Sequence, residues 1–90
     1  MRIEWDANKA RTNLTKHRVS FQEAATALYD RMSATGPDPD HSVREFRYIT
    51  FGMSEQGRLL IISHTEKDDV IRIISARVAS RGECKIYEEG

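Results

Sequence analysis

His64, Glu66, Arg72, Arg77, Arg81 and Tyr87 crowd the C-terminal third of the chain. Acid–base chemistry on a phosphate ester without a metal needs a base, an acid, and cations for the charge that develops. A group that titrates near neutrality, set beside several arginines, is that equipment. His64 is the acid/base candidate by type. Glu66 shares its strand parity and could orient the imidazole, or simply end the strand as a solvated carboxylate. Arg72 interrupts Val70-Ile71-Ile73-Ile74, and a guanidinium there must reach water, a carboxylate such as Glu66, or a phosphate. Arg77 ends the same segment at the opposite parity and Arg81 opens the next; arginine suits bidentate phosphate binding. Tyr87 could stack on a base or donate to a phosphate, or cover a core edge with its hydroxyl wet. His17, near a helix end, and His41, in a loop, are weaker candidates, and Trp5 reads as core. No histidines and acids stand at metal-ligand spacing, so neither metal nor cofactor is expected.

These residues need a scaffold. Ile3 and Trp5 alternate with Arg2 and Glu4 as in a short strand. Asp6 can cap a helix over about 7–17. Ser20-Phe21-Gln22-Glu23 reads as a capping box, with Glu23 reaching back, before a helix that ends near Asp30. Gly36-Pro37-Asp38-Pro39-Asp40-His41 breaks the pattern as a loop, with one more short strand near Met32–Thr35. Strand material follows at Phe46–Met53, Arg58–Glu66 and Val70–Arg77, punctuated by turns at Glu55-Gln56-Gly57 and Lys67-Asp68-Asp69. Leu59-Leu60-Ile61-Ile62 is apolar at both parities, which predicts a central strand buried on both faces. A helix over about 80–89 closes the chain. The expected class is α+β: a small antiparallel meander with two N-terminal helices and one C-terminal helix, in a single domain over residues 1–90.

The last turn decides which side chains meet. A two-residue loop at Asp68-Asp69 pairs Thr65 with Arg72 and sends His64 to the opposite face. A three-residue loop from Lys67 pairs His64 with Arg72. The sequence permits both.

Composition narrows the function classes. Fourteen Lys/Arg balance fourteen Asp/Glu, which argues against a dedicated DNA-binding domain. The distribution is uneven: residues 1–20 carry five bases against two acids, and residues 70–82 carry three arginines and no acid. A single cysteine, Cys84, excludes an internal disulfide and suits a reducing compartment. The longest apolar run falls far short of a membrane span, and the opening residues lack a signal-peptide core, so a cytoplasmic protein is expected.

The order of elements resembles the BrnT family of toxins, whose fold is RelE-like. Ile3-Glu4-Trp5-Asp6, Lys9, Asn13, Lys16-His17 and Val19-Ser20-Phe21-Glu23-Ala24 follow the family pattern, as do Pro37-Asp38-Pro39, Gly57-Arg58, His64-Thr65-Glu66, Arg72 to Arg77, Glu83 and Tyr87-Glu88. The resemblance implies a metal-independent endoribonuclease that arrests translation. It also implies a cognate ribbon-helix-helix antitoxin that blocks the toxin and carries it to operator DNA. On that footing His64, Glu66, Arg72, Arg77 and Tyr87 are catalytic candidates, and Lys67 and Arg81 are RNA-binding candidates. Gly82 and Cys84 depart from the pattern in the last helix. The alternative is a non-catalytic module that only anchors the antitoxin. A free-standing RNA-binding domain is a poorer fit, because no strand carries an aromatic-rich stacking motif.

Overall fold

Asp6 and Ser20 each stop an extended segment and open a helix. Asp6 accepts the Lys9 amide at 2.9 Å and starts α1, Ala7–His17. Arg18 ends α1 in the left-handed region (φ 57°), where its N–H reaches the Leu14 carbonyl. Ser20 Oγ accepts the Glu23 amide at 3.0 Å and starts α2, Phe21–Leu28. The computed structural model describes residues 1–41 and 46–89, with the backbone alone at His41, so the His41 side chain lies outside the described residues.

Strands β1 (Arg2–Trp5), β2 (Ala34–Pro37), β3 (Arg47–Met53), β4 (Leu59–Lys67) and β5 (Val70–Val78) form one sheet in the order β1-β5-β4-β3-β2. β3 to β5 form the expected three-stranded antiparallel meander, β2 extends it antiparallel at one edge, and β1 lies parallel to β5 at the other. A 3₁₀ turn at Pro39–His41 leads toward β3, and α3 (Arg81–Glu89) closes the chain. β4 is central, and Leu59 to Ile62 are all buried, as apolar character at both parities requires. Gly36 and Pro37 were expected in a loop but belong to β2, opposite Ile49 and Tyr48. Proline is tolerated there because β2 is an edge strand and its missing amide needs no partner.

The core lies between the sheet and the two N-terminal helices. Val19, Phe21, Ala24 and Ala27 meet Leu60, Ile62, Ile73 and Ala76. Trp5 borders this cluster edge-on to Phe21, with ring centroids 6.1 Å apart. Gly52 sits where α2 crosses β3; a Cβ there would collide with the Ala27 carbonyl.

The capping box forms in a different place from the one expected. Glu23 does not return to Ser20. Its carboxylate accepts from Ser54 Oγ at 2.7 Å and from Arg58 Nε at 2.9 Å, and Arg58 also donates to the Arg18 carbonyl at 3.0 Å. A buried carboxylate gains more from a fixed guanidinium than from one backbone amide, and the pair ties the β3–β4 turn to α2. Arg58 holds the Glu23 carboxyl below its usual range. The reciprocal box occurs at α3, where Ser80 Oγ accepts the Glu83 amide and Glu83 accepts the Ser80 amide at 2.8 Å.

β5 cannot alternate strictly, because Ile71, Ile73 and Ala76 are all buried. A bulge resolves this. Ser63 opposes Ser75 while His64 opposes Ile73, so β5 carries one extra residue, Ile74. Beyond Ile73 no strand among the described residues lies beside the outer edge of β5, since β1 pairs only with Val70 to Ile73. Asn13 of α1 takes that place: its amide donates to the Ala76 carbonyl at 2.8 Å, its carbonyl accepts the Ala76 N–H at 3.1 Å, and it also donates to the Val19 carbonyl. One buried side chain thus completes a ladder that backbone leaves open. We predict that Asn13→Ala lowers unfolding free energy in urea by about 2–3 kcal/mol, the cost of stranding these groups. Asn13→Asp should rescue little, because a carboxylate cannot donate to two carbonyls. A loss below about 0.5 kcal/mol would contradict this role.

Candidate functional site

Asp68 (φ 52°) and Asp69 (φ 65°) both adopt the left-handed region that a two-residue hairpin loop of type I′ requires. Lys67 therefore pairs with Val70, Glu66 with Ile71 and Thr65 with Arg72. Of the two registers the sequence permits, this one sends His64 and Arg72 to opposite faces of the sheet.

His64 points to the face that α1 and α2 cover and is 1% exposed. Its Nε2 lies 2.7 Å from Thr50 Oγ1, and Thr50 Oγ1 lies 2.7 Å from Thr35 Oγ1. The chain of polar contacts thus runs across three strands. Tyr48 stacks on the imidazole with centroids 6.0 Å apart. Burial pushes the imidazole below its ordinary value of 6.5, against smaller opposing contributions from the Thr65 carbonyl and the Glu66 charge. Glu66 is on the same face as His64 but exposed at the strand end. The structure does not bring His64 and Glu66 to the arginines, because a two-residue turn fixes the parity of both strands.

The arginines do share a face. At sequence level Arg72 and Arg77 have opposite parities, yet both stand on the face away from α1 and α2, since the extra residue of the bulge reverses parity between them. Arg47, Thr65, Arg72 and Glu4 form one cross-strand row, and Phe51, Ile61 and Arg77 form another. Lys67 shares this face by its register with Thr65 and is exposed, as is Arg72. Arg47 was not among the sequence candidates. Its signal was available: it shares parity with Ile49 and Phe51 along β3.

α3 lies over the same face, where Ile86 lines an apolar groove with Ile49 and Phe51. None of its described residues is buried, so polar contacts at its two ends hold it. At the start, Arg77 donates through both terminal nitrogens to Glu83, each at 2.8 Å. That pairing holds the Glu83 carboxyl at about 2 and Arg77 more firmly protonated. Near the end, the Tyr87 hydroxyl donates to Asp30 Oδ2 at 2.5 Å, while Asp30 also accepts the Met32 and Met53 amides. This contact raises the phenol and lowers the carboxyl. Tyr87 is thus half-buried with its hydroxyl engaged, and Arg81 is exposed at the first position of α3. His17 lies half-buried in the last turn of α1. Among the described residues, no three His, Cys, Asp or Glu side chains are arranged to hold a metal, and no helix is long and apolar enough to cross a membrane.

The lowered imidazole has a consequence for stability. The unfolded chain takes up a proton at His64 near 6.5, whereas the folded chain resists it. The contribution of His64 to stability is therefore present above pH 6.5 and is lost on acidification toward the folded-state value. Thermal unfolding followed between pH 7.5 and 5 should show this decline in the wild type and a flatter profile in His64→Gln. Parallel profiles would show that His64 is not the group responsible.

Comparison with known proteins agrees with this architecture. The family model described as the ribonuclease toxin BrnT of type II toxin–antitoxin systems matches residues 5–83, a span that ends on Glu83 and leaves Tyr87 outside it. Among solved structures, the ribonuclease toxin BrnT of Brucella abortus superposes with a TM-score of 0.65 at 23% identity, covering 90% of this chain and 99% of that one. No curated protein matches the chain. With most of its length matched by the family model and its fold shared with a solved member, the chain belongs to the BrnT family of ribonuclease toxins.

Proposed function

We propose that this protein is a metal-independent endoribonuclease toxin that cuts RNA on the α3-covered face of its sheet. The observation that carries the reading is the placement of Arg72 and Arg77 on one exposed face by the β5 bulge. Two guanidiniums on a rigid strand supply the charge stabilisation that a phosphorane needs. Once a phosphate displaces their present contacts, the Glu83 carboxylate can take the 2′-hydroxyl proton and the Tyr87 phenol can give one to the leaving 5′-oxygen. Lys67 and Arg81 extend the cationic surface at its rims, and Arg47 stands in the Arg72 row. Phe51 and Tyr87 give this face aromatic groups, and Tyr87 is freed for a base or phosphate once Asp30 releases it. His64 and Glu66 serve from the opposite side: His64 as a buried link among β2, β3 and β4, Glu66 as a carboxylate that biases its charge.

Cleavage inside a bacterial cytoplasm would arrest translation, and the implied control is a cognate antitoxin of the ribbon-helix-helix type. The toxin's zero net charge leaves it little sequence-independent attraction to duplex DNA, so the antitoxin supplies operator binding.

Purified protein should cut RNA in EDTA and leave 2′,3′-cyclic phosphate or 3′-phosphate ends. Arg72→Ala and Arg77→Ala should each lower kcat/KM by more than about tenfold, or about 1.4 kcal/mol. Melting temperatures separate this from misfolding: Arg72 has no ion-pair partner among the described residues, so its variant should melt as the wild type does. Activity abolished by chelator and restored by magnesium would contradict the metal-free mechanism. No cleavage with or without ribosomes, alongside intact antitoxin binding, would instead establish the non-catalytic binding module.

A further inference from the structure

The arginine face does not use the basic N-terminal stretch. Lys9, Thr12 and Lys16 fall at i, i+3 and i+7 of α1 and so form one stripe along the helix. That stripe, with His17, faces Ile74 and Ser75 across an open groove of about 360 Å³. A shallower hollow shares Thr12 and Lys16 and adds Arg11. No acidic residue occurs within α1, and the nearest one, Asp6, has its carboxylate engaged in capping. Lys9, Arg11, Thr12 and Lys16 are exposed. The groove is cationic, then, and no ion pair among the described residues neutralises its lysines.

Its position gives it meaning. Ile74 and Ser75 are the bulge residues, and they lie between Arg72 and Arg77 in the chain. This is also where no strand among the described residues lies beside the outer edge of β5. The groove therefore begins at the sheet edge whose adjoining face carries the two arginines. A polyanion laid across Arg72 and Arg77 can pass over that edge and continue along α1 with no acidic barrier from the helix.

We propose that the α1 groove is a second RNA-binding subsite, holding phosphates of the strand that flanks the scissile bond through Lys9 and Lys16, with hydroxyl contacts from Thr12. This rests on the reading of the arginine face as the cleavage site. Lysine suits the task, because a flanking strand needs point charges that follow a flexible backbone, whereas the reacting phosphate needs a fixed fork. Exposed hydroxyls beside the lysines add hydrogen bonds to phosphate oxygens without adding sequence preference.

The test uses 2′-O-methyl RNA of about 12 nucleotides, within the usual length of single-stranded sites, which cannot be cut because its attacking hydroxyl is blocked. Binding is followed by fluorescence anisotropy over a range of salt. Lys9→Ala/Lys16→Ala should weaken binding about tenfold and reduce the slope of log K against log salt by about 1.4, two contacts at about 0.7 each on a single strand. Alanine favours helix, so α1 should persist, as circular dichroism will verify. The same variant should cut a dinucleotide at the wild-type rate, because that substrate is too short to leave the arginine face. Arg77→Ala is the internal control. If it weakens binding while the lysine variant does not, the subsite is overturned and the cleavage face stands. If neither variant changes affinity, RNA does not bind this chain as described, and both readings fall. If the lysine variant keeps its RNA affinity but loses the antitoxin, the groove belongs to an acidic polypeptide and the proposal is wrong.

Discussion

A single extra residue in β5 governs the rest of the structure. Without the bulge, Ile71 and Ile73 could not share a buried face with Ala76. Strict alternation would then either expose core side chains or bury a guanidinium, and a buried unpaired charge costs far more than a local break in a ladder. The bulge satisfies both halves of the strand at once. Its side effect is that Arg72 and Arg77 emerge on the same face. The disruption must be sealed where β1 ends, and Asn13 seals it by acting as one residue's worth of neighbouring strand. Helix α1, strand β5 and the cationic face are thus one mechanical unit.

That unit separates two chemistries which the sequence places side by side. His64 looks like an acid/base group, yet its hydrogen bond to Thr50 and its stacking on Tyr48 are those of a core residue. A neutral imidazole with a lowered pKa is well suited to linking strands in a small core, since it satisfies a buried hydroxyl without a charge to desolvate. The arginines are exposed and backed by rigid strand. Glu83 and Tyr87 engage partners on or beside this face, so α3 rests over it through polar contacts that an incoming polyanion can displace. Competition between a carboxylate and a phosphate for Arg77 is an exchange of like for like, whereas prying an apolar helix from a core would not be.

Much of the fold was legible in the sequence because each signal was local. Asp6, Ser20 and the apolar run Leu59 to Ile62 act within a few residues of themselves, and helices α1 and α2 and the central strand follow from them. The separation of Arg72 from His64 was open because it depends on turn length, and Asp-Asp tolerates the left-handed conformation without demanding it as glycine would. The bulge was not legible at all: it arises from the competition between burying Ala76 and exposing Arg77, and parity counting assumes no such interruption. Glu23 was misplaced for a related reason. Its local partner, Ser20, was visible in sequence, but Arg58 lies 35 residues away and wins by charge. The resemblance to a toxin family supplied the function class, which neither composition nor periodicity contains.

We propose that RNA meets the arginine face and not the histidine face. Isotope-edited NMR of the Arg Nε–H groups and the His64 ring, with uncleavable 2′-O-methyl RNA added stepwise, tests it most directly. Arg72 and Arg77 resonances should shift with saturation while the His64 ring resonances stay where they were. A shifting His64 with silent arginines would contradict it.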